Sequence, residues 1–256
     1  VIDKLAFVHP TAKIGQNVTI GPWTYIGENV EIGDDTWISS HVVVKGPTVI
    51  GKGNRIFQFA SVGEECQDKK YAGEQTRLII GDNNIIRESV TIHRGTTQDN
   101  HETRIGSNCL FMAYVHIAHD CVVGNNVIMA NNASIAGHVH VGDWVILGGM
   151  TGVHQFVRIG NHAFTAGASL ILQDVPPFVM AAGSPAAPRG LNLEGLKRRG
   201  FTKESQRAIL NAYKAVFRKS LTIEEANAEV SEMAEKDENV KAFMEFINHP
   251  GRGIIR

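Results

Sequence analysis

The chain has 256 residues and a formal net charge of −1, long enough to bury a sizeable core and too near neutrality for a general affinity for nucleic acid. Three cysteines, Cys66, Cys109 and Cys121, offer neither close metal-type spacing nor an even disulfide framework, which points to a reducing cytoplasm. The first residues lack the apolar run of a signal peptide, and no segment has the length and apolarity of a transmembrane span, so a cytoplasmic protein without a transmembrane segment is expected.

From Val8 onward an aliphatic residue recurs at every sixth position: Ile14, Ile20, Ile26, Ile32, Ile38, Val44, Ile50, Ile56, Val62. Glycine often follows it, and a small or β-branched residue such as Val18, Thr24, Val30 or Thr36 comes four positions later. This period fits neither an amphipathic helix nor an isolated strand, but it does fit a short strand plus a corner, repeated. Such units cannot bury their own apolar residue, so they must coil and stack around a narrow interior. About twenty-five hexads, enough for roughly eight coils, are expected.

The phase breaks twice, and two inserted loops are expected at about residues 63–79 and 97–104. The first carries Gln67-Asp68-Lys69-Lys70-Tyr71, the second Gln98-Asp99-Asn100-His101. A repeat protein that tolerates long polar insertions often uses them on one working face. The repeat dissolves after Pro177, and residues 183–188 read as a linker. Residues 1–183 are therefore assigned to the coiled repeat and 190–256 to a small α-helical domain. In the latter, Ile209, Leu210, Tyr213 and Phe217 form one stripe, Thr222-Ile223-Glu224-Glu225 is a capping box, and Val240, Phe243, Met244 and Ile247 form a last stripe. Residues 190–219 hold eight Lys or Arg against Glu194 and Glu204, a basic stretch suited to an acidic partner if it is not simply a solvated face.

With three hexads per coil, positions eighteen apart stack. His119 then has Gly137 one coil above and Gln155 two coils above, His138 lies beside that column, and His154 stacks over Ala136 and Ala118. His116 falls in another column with Ser134. The four polar side chains His119, His138, His154 and Gln155 should thus share one strip within roughly 10 Å along the axis. Isolated imidazoles on such a wall can be a hydrated ladder, but their convergence beside a glycine favours a site.

Three chemistries compete there. Zinc could be held by histidines, although the His116 and His119 spacing is short for such a pair. The repeat could be a non-catalytic scaffold. Alternatively, neutral imidazole could act as a general base with Asp120 fixing its tautomer, and the Gly137 N–H could stabilise an oxyanion if it sits at a corner, outside the intercoil ladder. Cys121, beside Asp120, reads as a small buried hydrophobe more readily than as a nucleophile.

Several longer strings go beyond generic hexads: Gln58-Phe59-Ala60-Ser61, Gln67-Asp68 through Glu74, Ile86-Arg87-Glu88-Ser89-Val90-Thr91-Ile92-His93-Arg94-Gly95, His116-Ile117-Ala118-His119-Asp120-Cys121, Val153-His154-Gln155-Phe156, and Asn192 through Phe201. On these the chain resembles, over essentially its full length, the UDP-N-acetylglucosamine 3-O-acyltransferases among the hexapeptide-repeat acyltransferases. The resemblance implies an all-β left-handed parallel β-helix followed by a small α-helical C-terminal domain. It implies transfer of a (R)-3-hydroxyacyl group from acyl carrier protein to UDP-N-acetylglucosamine in lipid A biosynthesis, by a homotrimer that needs no cofactor and no metal. Two alternatives are the related N-acyltransferases, which carry an additional N-terminal domain and usually Asn where this chain has Asp120, and carbonic-anhydrase-like β-helix proteins.

Residue by residue, the resemblance implies His119 as general base, Asp120 as its orienting partner and Gly137 as oxyanion donor. Gln67, Asp68, Lys70, His116 and His138 would line the sugar and reacting centre, and His154 and Gln155 the sugar and diphosphate. Asn192, Glu194, Arg198 and Arg199 match the nucleotide end, where a guanidinium fork suits phosphate. Gly167 matches an acyl-chain ruler, and its lack of a side chain implies a long acyl group, with Phe164 and Leu170 as residues that could shorten the groove.

Overall fold

Each hexad contributes a two- to four-residue strand and then a corner, and the corners recur as left-handed backbone at Asn108, Tyr114, Asp120, Asn126, Asn132, His138, Trp144 and beyond, each with φ close to +60°. Asn and Asp tolerate this region, whereas Tyr114, Trp144 and Phe156 are held there by the coils above and below. In the computed structural model, which describes residues 1–219, 221–249 and 251–256, the strands form three parallel walls of nine, eight and ten strands. The ten-strand wall ends in one antiparallel pair. The walls enclose a left-handed β-helix, somewhat taller than the repeat count alone suggested.

The sixfold aliphatic positions point inward and are buried, from Ile20 and Ile26 through Ile117 and Ile135 to Ile171. Full burial of each such side chain stabilises by about 1.5–3 kcal/mol, and the column contributes as one continuous core because each coil covers the next. Buried polar groups along the corners are paired. Asn54 Nδ2 donates to the carbonyls of Gly51 and Gly81, and its Oδ1 accepts from the Asn84 N–H. Asn84 Oδ1 accepts in turn from the N–H of Cys109. Cys109 and Cys121 lie in this interior, where burial pushes their thiols up to about 11 and about 12. With its thiol on the Ala136 carbonyl at 3.1 Å, Cys121 is a packing residue, not a nucleophile.

The first insertion leaves after Ser61–Glu64 and returns at Arg77–Ile80; the second leaves after Thr91–His93 and returns at Glu102–Ile105. The second therefore starts three residues earlier than the broken phase indicated, and takes in Thr96. Residues 183–188, expected as a linker, instead belong to a hairpin that turns at Ser184 and Pro185, with Ala186–Leu191 pairing antiparallel to Val179–Gly183. Val179–Gly183 still pairs in parallel with Phe164–Thr165, so the wall gains a strand that has lost the hexad signature.

Among the described residues four helices follow: α1 (Leu193–Arg198), α2 (Lys203–Phe217), α3 (Ile223–Lys236) and α4 (Glu238–Asn248). Thr202 caps α2, and the Thr222/Glu225 capping box starts α3. The α4 stripe is buried as its spacing predicted, whereas in α2 Ile209 and Tyr213 are buried and Leu210 and Phe217 are partly buried against the core. Arg158 ties this helical part to the last coils: it pairs with fully buried Asp174 at 2.8 Å, lies over the Phe246 ring, and donates to the carbonyls of Phe246 and His249 at the end of α4.

Candidate active site

The wall that carries His116–Ile117 opens into a groove of about 540 Å³. Its floor is the in-register column His116, Ser134, Gly152, Leu170, with Ala118, Ala136 and His154 beside it. Small side chains at consecutive coils make the trough, and Leu170 and Leu172 close one end. Gln67 and Asp68 of the first insertion form part of the rim, and Gln155 lines the groove near His154. The insertion is fastened by Arg94, buried under it, whose Nη1 donates to the carbonyls of Gly46 and Gly63 and whose Nη2 donates to the Tyr71 hydroxyl at 3.2 Å.

His119 Nδ1 lies 2.8 Å from Asp120 Oδ2. The Asp120 carboxylate is 2% exposed and accepts from the Thr96 N–H at 2.8 Å and the Thr96 hydroxyl at 2.6 Å. Burial acts to raise the Asp120 carboxyl, but the hydrogen bonds from His119 and Thr96 together outweigh it and hold the group below the ordinary carboxylate range. An ionised carboxylate only accepts, so Nδ1 carries the proton and Nε2 of neutral His119 presents a lone pair.

Gly137 lies against this ring: a Cβ there would be 2.5 Å from Cε1 and 2.6 Å from Nε2 of His119. It occupies a turn between Ser134–Ile135 and His140–Val141, and among the described residues its N–H has no backbone or side-chain acceptor, while the neighbouring Ala136 and His138 N–H groups are used in the ladder. A free donor beside a basic imidazole is the arrangement that acyl transfer requires.

His116 lines the groove, with Nδ1 2.7 Å from the Thr91 hydroxyl and its ring edge-on to His93. Burial, then His119, lower His116; burial and then His116 lower His93 to about 4, so both are neutral near pH 7. His93 was not among the expected site residues. An insertion separates it from His116, so the eighteen-residue arithmetic does not pair them.

Two of the expected residues do not line this groove within a single chain. His138 is not on the groove surface: it is packed behind His119, stacked on Phe156 at 4.5 Å and with Nδ1 3.0 Å from Asp99 Oδ2, because its corner position turns the side chain away from the strand face. Lys70 is exposed and is not among the residues that line the groove; its backbone N–H donates to Asp68 Oδ1 in a turn of the loop. Neither lines the cavity that holds His119.

Asn192, Glu194, Arg198 and Arg199 lie in a second cavity, of about 610 Å³, on the ten-strand wall among Ile128, Ile146, Phe164 and Met180. Asn192 is the N-cap of α1, its Oδ1 accepting from the Gly195 N–H and its Nδ2 donating to the His162 carbonyl. Arg198 pairs with Glu194, and Arg199 lies over the Trp144 ring at 5.1 Å. Burial, then Arg199, hold His162 down to about 4, which leaves Arg199 as the cation between the two. Within one chain this cavity and the His119 groove are on different walls. Gly167 sits at a corner between those walls, where a Cβ would meet only the Gly149 carbonyl, at 3.3 Å.

As for metal, His119, Asp120 and His138 offer ligand atoms within 4.8 Å of one another. The cluster contains His138 and not the His116 suggested by spacing. His119 Nδ1 and Asp120 Oδ2 already share a hydrogen bond, and their 2.8 Å separation is shorter than the roughly 3.3 Å between ligands of a tetrahedral zinc. The donor set fits a hydrogen-bonded dyad better than a metal site.

Comparison with known proteins supports the resemblance. Residues 174–255 match the model of the UDP-N-acetylglucosamine O-acyltransferase second domain, residues 102–137 the bacterial transferase hexapeptide repeat, and residues 2–104 the GMPPB C-terminal domain. LpxA of Acinetobacter baumannii is 49% identical, the match covers 100% of this chain and 99% of that one, and the two superpose with a TM-score of 0.97. The UDP-N-acetylglucosamine acyltransferase of Francisella novicida is 46% identical, covering 100% of this chain and 94% of that one, with a TM-score of 0.97. The Arabidopsis enzyme of the same name is 38% identical, with both chains covered to 100% and a TM-score of 0.87. The chain is a member of the UDP-N-acetylglucosamine O-acyltransferase family.

Proposed function

We propose that this chain transfers a (R)-3-hydroxyacyl group from the thioester of acyl carrier protein to the 3-hydroxyl of UDP-N-acetylglucosamine, the first step of lipid A biosynthesis. His119 Nε2 takes the hydroxyl proton as the oxygen attacks the thioester carbon. The Gly137 N–H then faces the oxyanion, and collapse of the tetrahedral intermediate expels the carrier thiolate, which recovers the proton from the imidazolium. Asp120 holds the tautomer and stabilises the imidazolium. The observation that carries this scheme is a tautomer-fixed His119 packed directly on a glycine with an unused N–H.

The groove residues Gln67, Asp68, His116, His154 and Gln155 are assigned to the sugar and its phosphates, and Gly167 to the end of the acyl groove. Asn192, Glu194, Arg198 and Arg199 are assigned to the nucleotide. Their position on a different wall from His119 is accounted for if the protein works as a homotrimer, with the groove of one prism facing the α1 cavity of its neighbour. The basic stretch around α1 and α2 suits the acidic carrier protein.

The test is to offer UDP-N-acetylglucosamine and a pool of 3-hydroxyacyl carrier proteins and to analyse products by mass spectrometry. A singly O-acylated sugar nucleotide is expected, and its formation should fall by about 10²- to 10⁴-fold in His119→Ala, the usual worth of a general base. Near wild-type turnover by that variant would refute the assignment of the base.

A further inference from the structure

The second insertion, residues 94–101, has no task in the scheme above, yet one of its side chains reaches the catalytic pair and another reaches the histidine packed behind it. Thr96 is 3% exposed and places both of its donors on one carboxylate, the N–H on Asp120 Oδ1 at 2.8 Å and the hydroxyl on Oδ2 at 2.6 Å. The same Oδ2 faces His119 Nδ1 at 2.8 Å. The Asp120 backbone is fixed independently, by its corner conformation (φ +58°) and by its own N–H on the Thr103 hydroxyl at 2.8 Å. The freedom left to Asp120 is rotation of the carboxylate, and donors on both oxygens remove it. Three residues further on, Asp99 Oδ2 meets His138 Nδ1 at 3.0 Å, and the His138 ring stands edge-on to His119 with centroids 5.1 Å apart.

We infer that Thr96 is a positioning residue for acyl transfer: through its hydroxyl it holds the Asp120 carboxylate in the plane that meets His119 Nδ1, with Asp99 bracing the imidazole of His138 behind the pair. The second insertion is thus a clamp on the base, where the first forms part of the groove rim. The inference rests on the assignment of His119 as general base. The titratable groups around His119 are Asp120 and His138 at the corner with Asp99 on His138, His116 along the wall with His93 behind it, and Asp68 and His154 lining the same groove.

The experiment compares Thr96→Val, which keeps the shape and loses the hydroxyl, with Thr96→Ser, which keeps the hydroxyl, and with His119→Ala, each assayed over a pH series. Thr96→Val should lower kcat about 10- to 100-fold with KM for UDP-N-acetylglucosamine changed by less than about threefold, since the base is misplaced and substrate contacts are not. Its acidic limb in kcat/KM should move to lower pH, because a carboxylate free to turn away no longer favours the imidazolium. A loss of folded protein lowers the amplitude of that profile but cannot move its inflection. Thr96→Ser should return kcat to within about threefold of wild type. If Thr96→Val does not fold, Thr96→Ala carries the same expectations. An unmoved inflection, an unchanged kcat in the valine variant, or a serine variant as impaired as valine would each overturn the inference. Turnover retained by His119→Ala would sink the base assignment itself, whereas an inactive His119→Ala beside an unaltered Thr96→Val would sink the clamp alone.

Discussion

Replacing Gly137 with alanine places one methyl group where the site tolerates none. A Cβ at 2.5 Å from His119 Cε1 and 2.6 Å from Nε2 must be relieved to an ordinary contact of 3.4 Å or more, so the imidazole has to retreat by about 1 Å. The ring is held on its other side by the 2.8 Å contact with Asp120, so the retreat weakens the tautomer-fixing hydrogen bond as it displaces Nε2. A misplacement of about 1 Å commonly costs on the order of 10²-fold in rate, and kcat/KM of Gly137→Ala is expected to fall by about that factor. Fold stability should change little. Gly137 does not occupy the left-handed region, so alanine fits its backbone, and the reduced freedom of the unfolded chain offsets the local clash by about 0.4–1 kcal/mol. Steady-state assay with the carrier thioester, alongside thermal unfolding, separates the two effects. Turnover within about threefold of wild type would refute the packing of Gly137 on the base and its place at the reacting centre.

The remaining predictions concern the groove, its loop and the buried histidines. Gly167→Met should shift donor preference toward shorter 3-hydroxyacyl chains, because a long side chain there occupies volume that the glycine leaves empty beyond the 3.3 Å approach of its Cβ position to the Gly149 carbonyl; an unchanged preference across a chain-length series would remove it from the groove. Arg94→Met leaves the Gly46 and Gly63 carbonyls and the Tyr71 hydroxyl without their donor, at about 1–3 kcal/mol for each group that stays buried. It should lower Tm and raise KM for UDP-N-acetylglucosamine as Gln67 and Asp68 loosen, and a variant unchanged in both would contradict the anchoring. His93, 3% exposed and lowered to about 4, binds its proton less readily folded than unfolded. Between the unfolded pKa of about 6.5 and about 4 the unfolded state holds more protons, so its contribution to stability is present above that window and is lost as pH falls through it. Tm measured from pH 7 to pH 4 should therefore fall less steeply in His93→Gln than in wild type; parallel curves would exclude His93 as a source of acid sensitivity.

The sixfold period from Ile14 to Val62 and from Ile105 to Ile171 has one geometric solution, because an aliphatic residue that recurs once per strand-and-corner unit is buried only when the units stack. That period also placed Gly137 and Gln155 over His119 and Ser134 over His116, since eighteen residues make a coil wherever no insertion intervenes. The helix caps at Thr202 and Thr222 were legible for a similar reason: their side chains bond backbone groups only three residues away.

Tertiary structure decided what the repeat could not carry. The insertions break the eighteen-residue count, so the meetings of Thr96 with Asp120, of Asp99 with His138 and of His93 with His116 have no spacing that announces them. The hairpin at residues 179–191 lost the hexad pattern because its second strand runs antiparallel, outside the coil. His138 was legible as a neighbour of His119 but not as a residue behind it, because a corner in left-handed backbone turns its side chain off the strand face, a direction that periodicity does not encode. Local and periodic contacts are written in sequence order; contacts made by an inserted loop returning to a distant coil depend on the path of the folded chain.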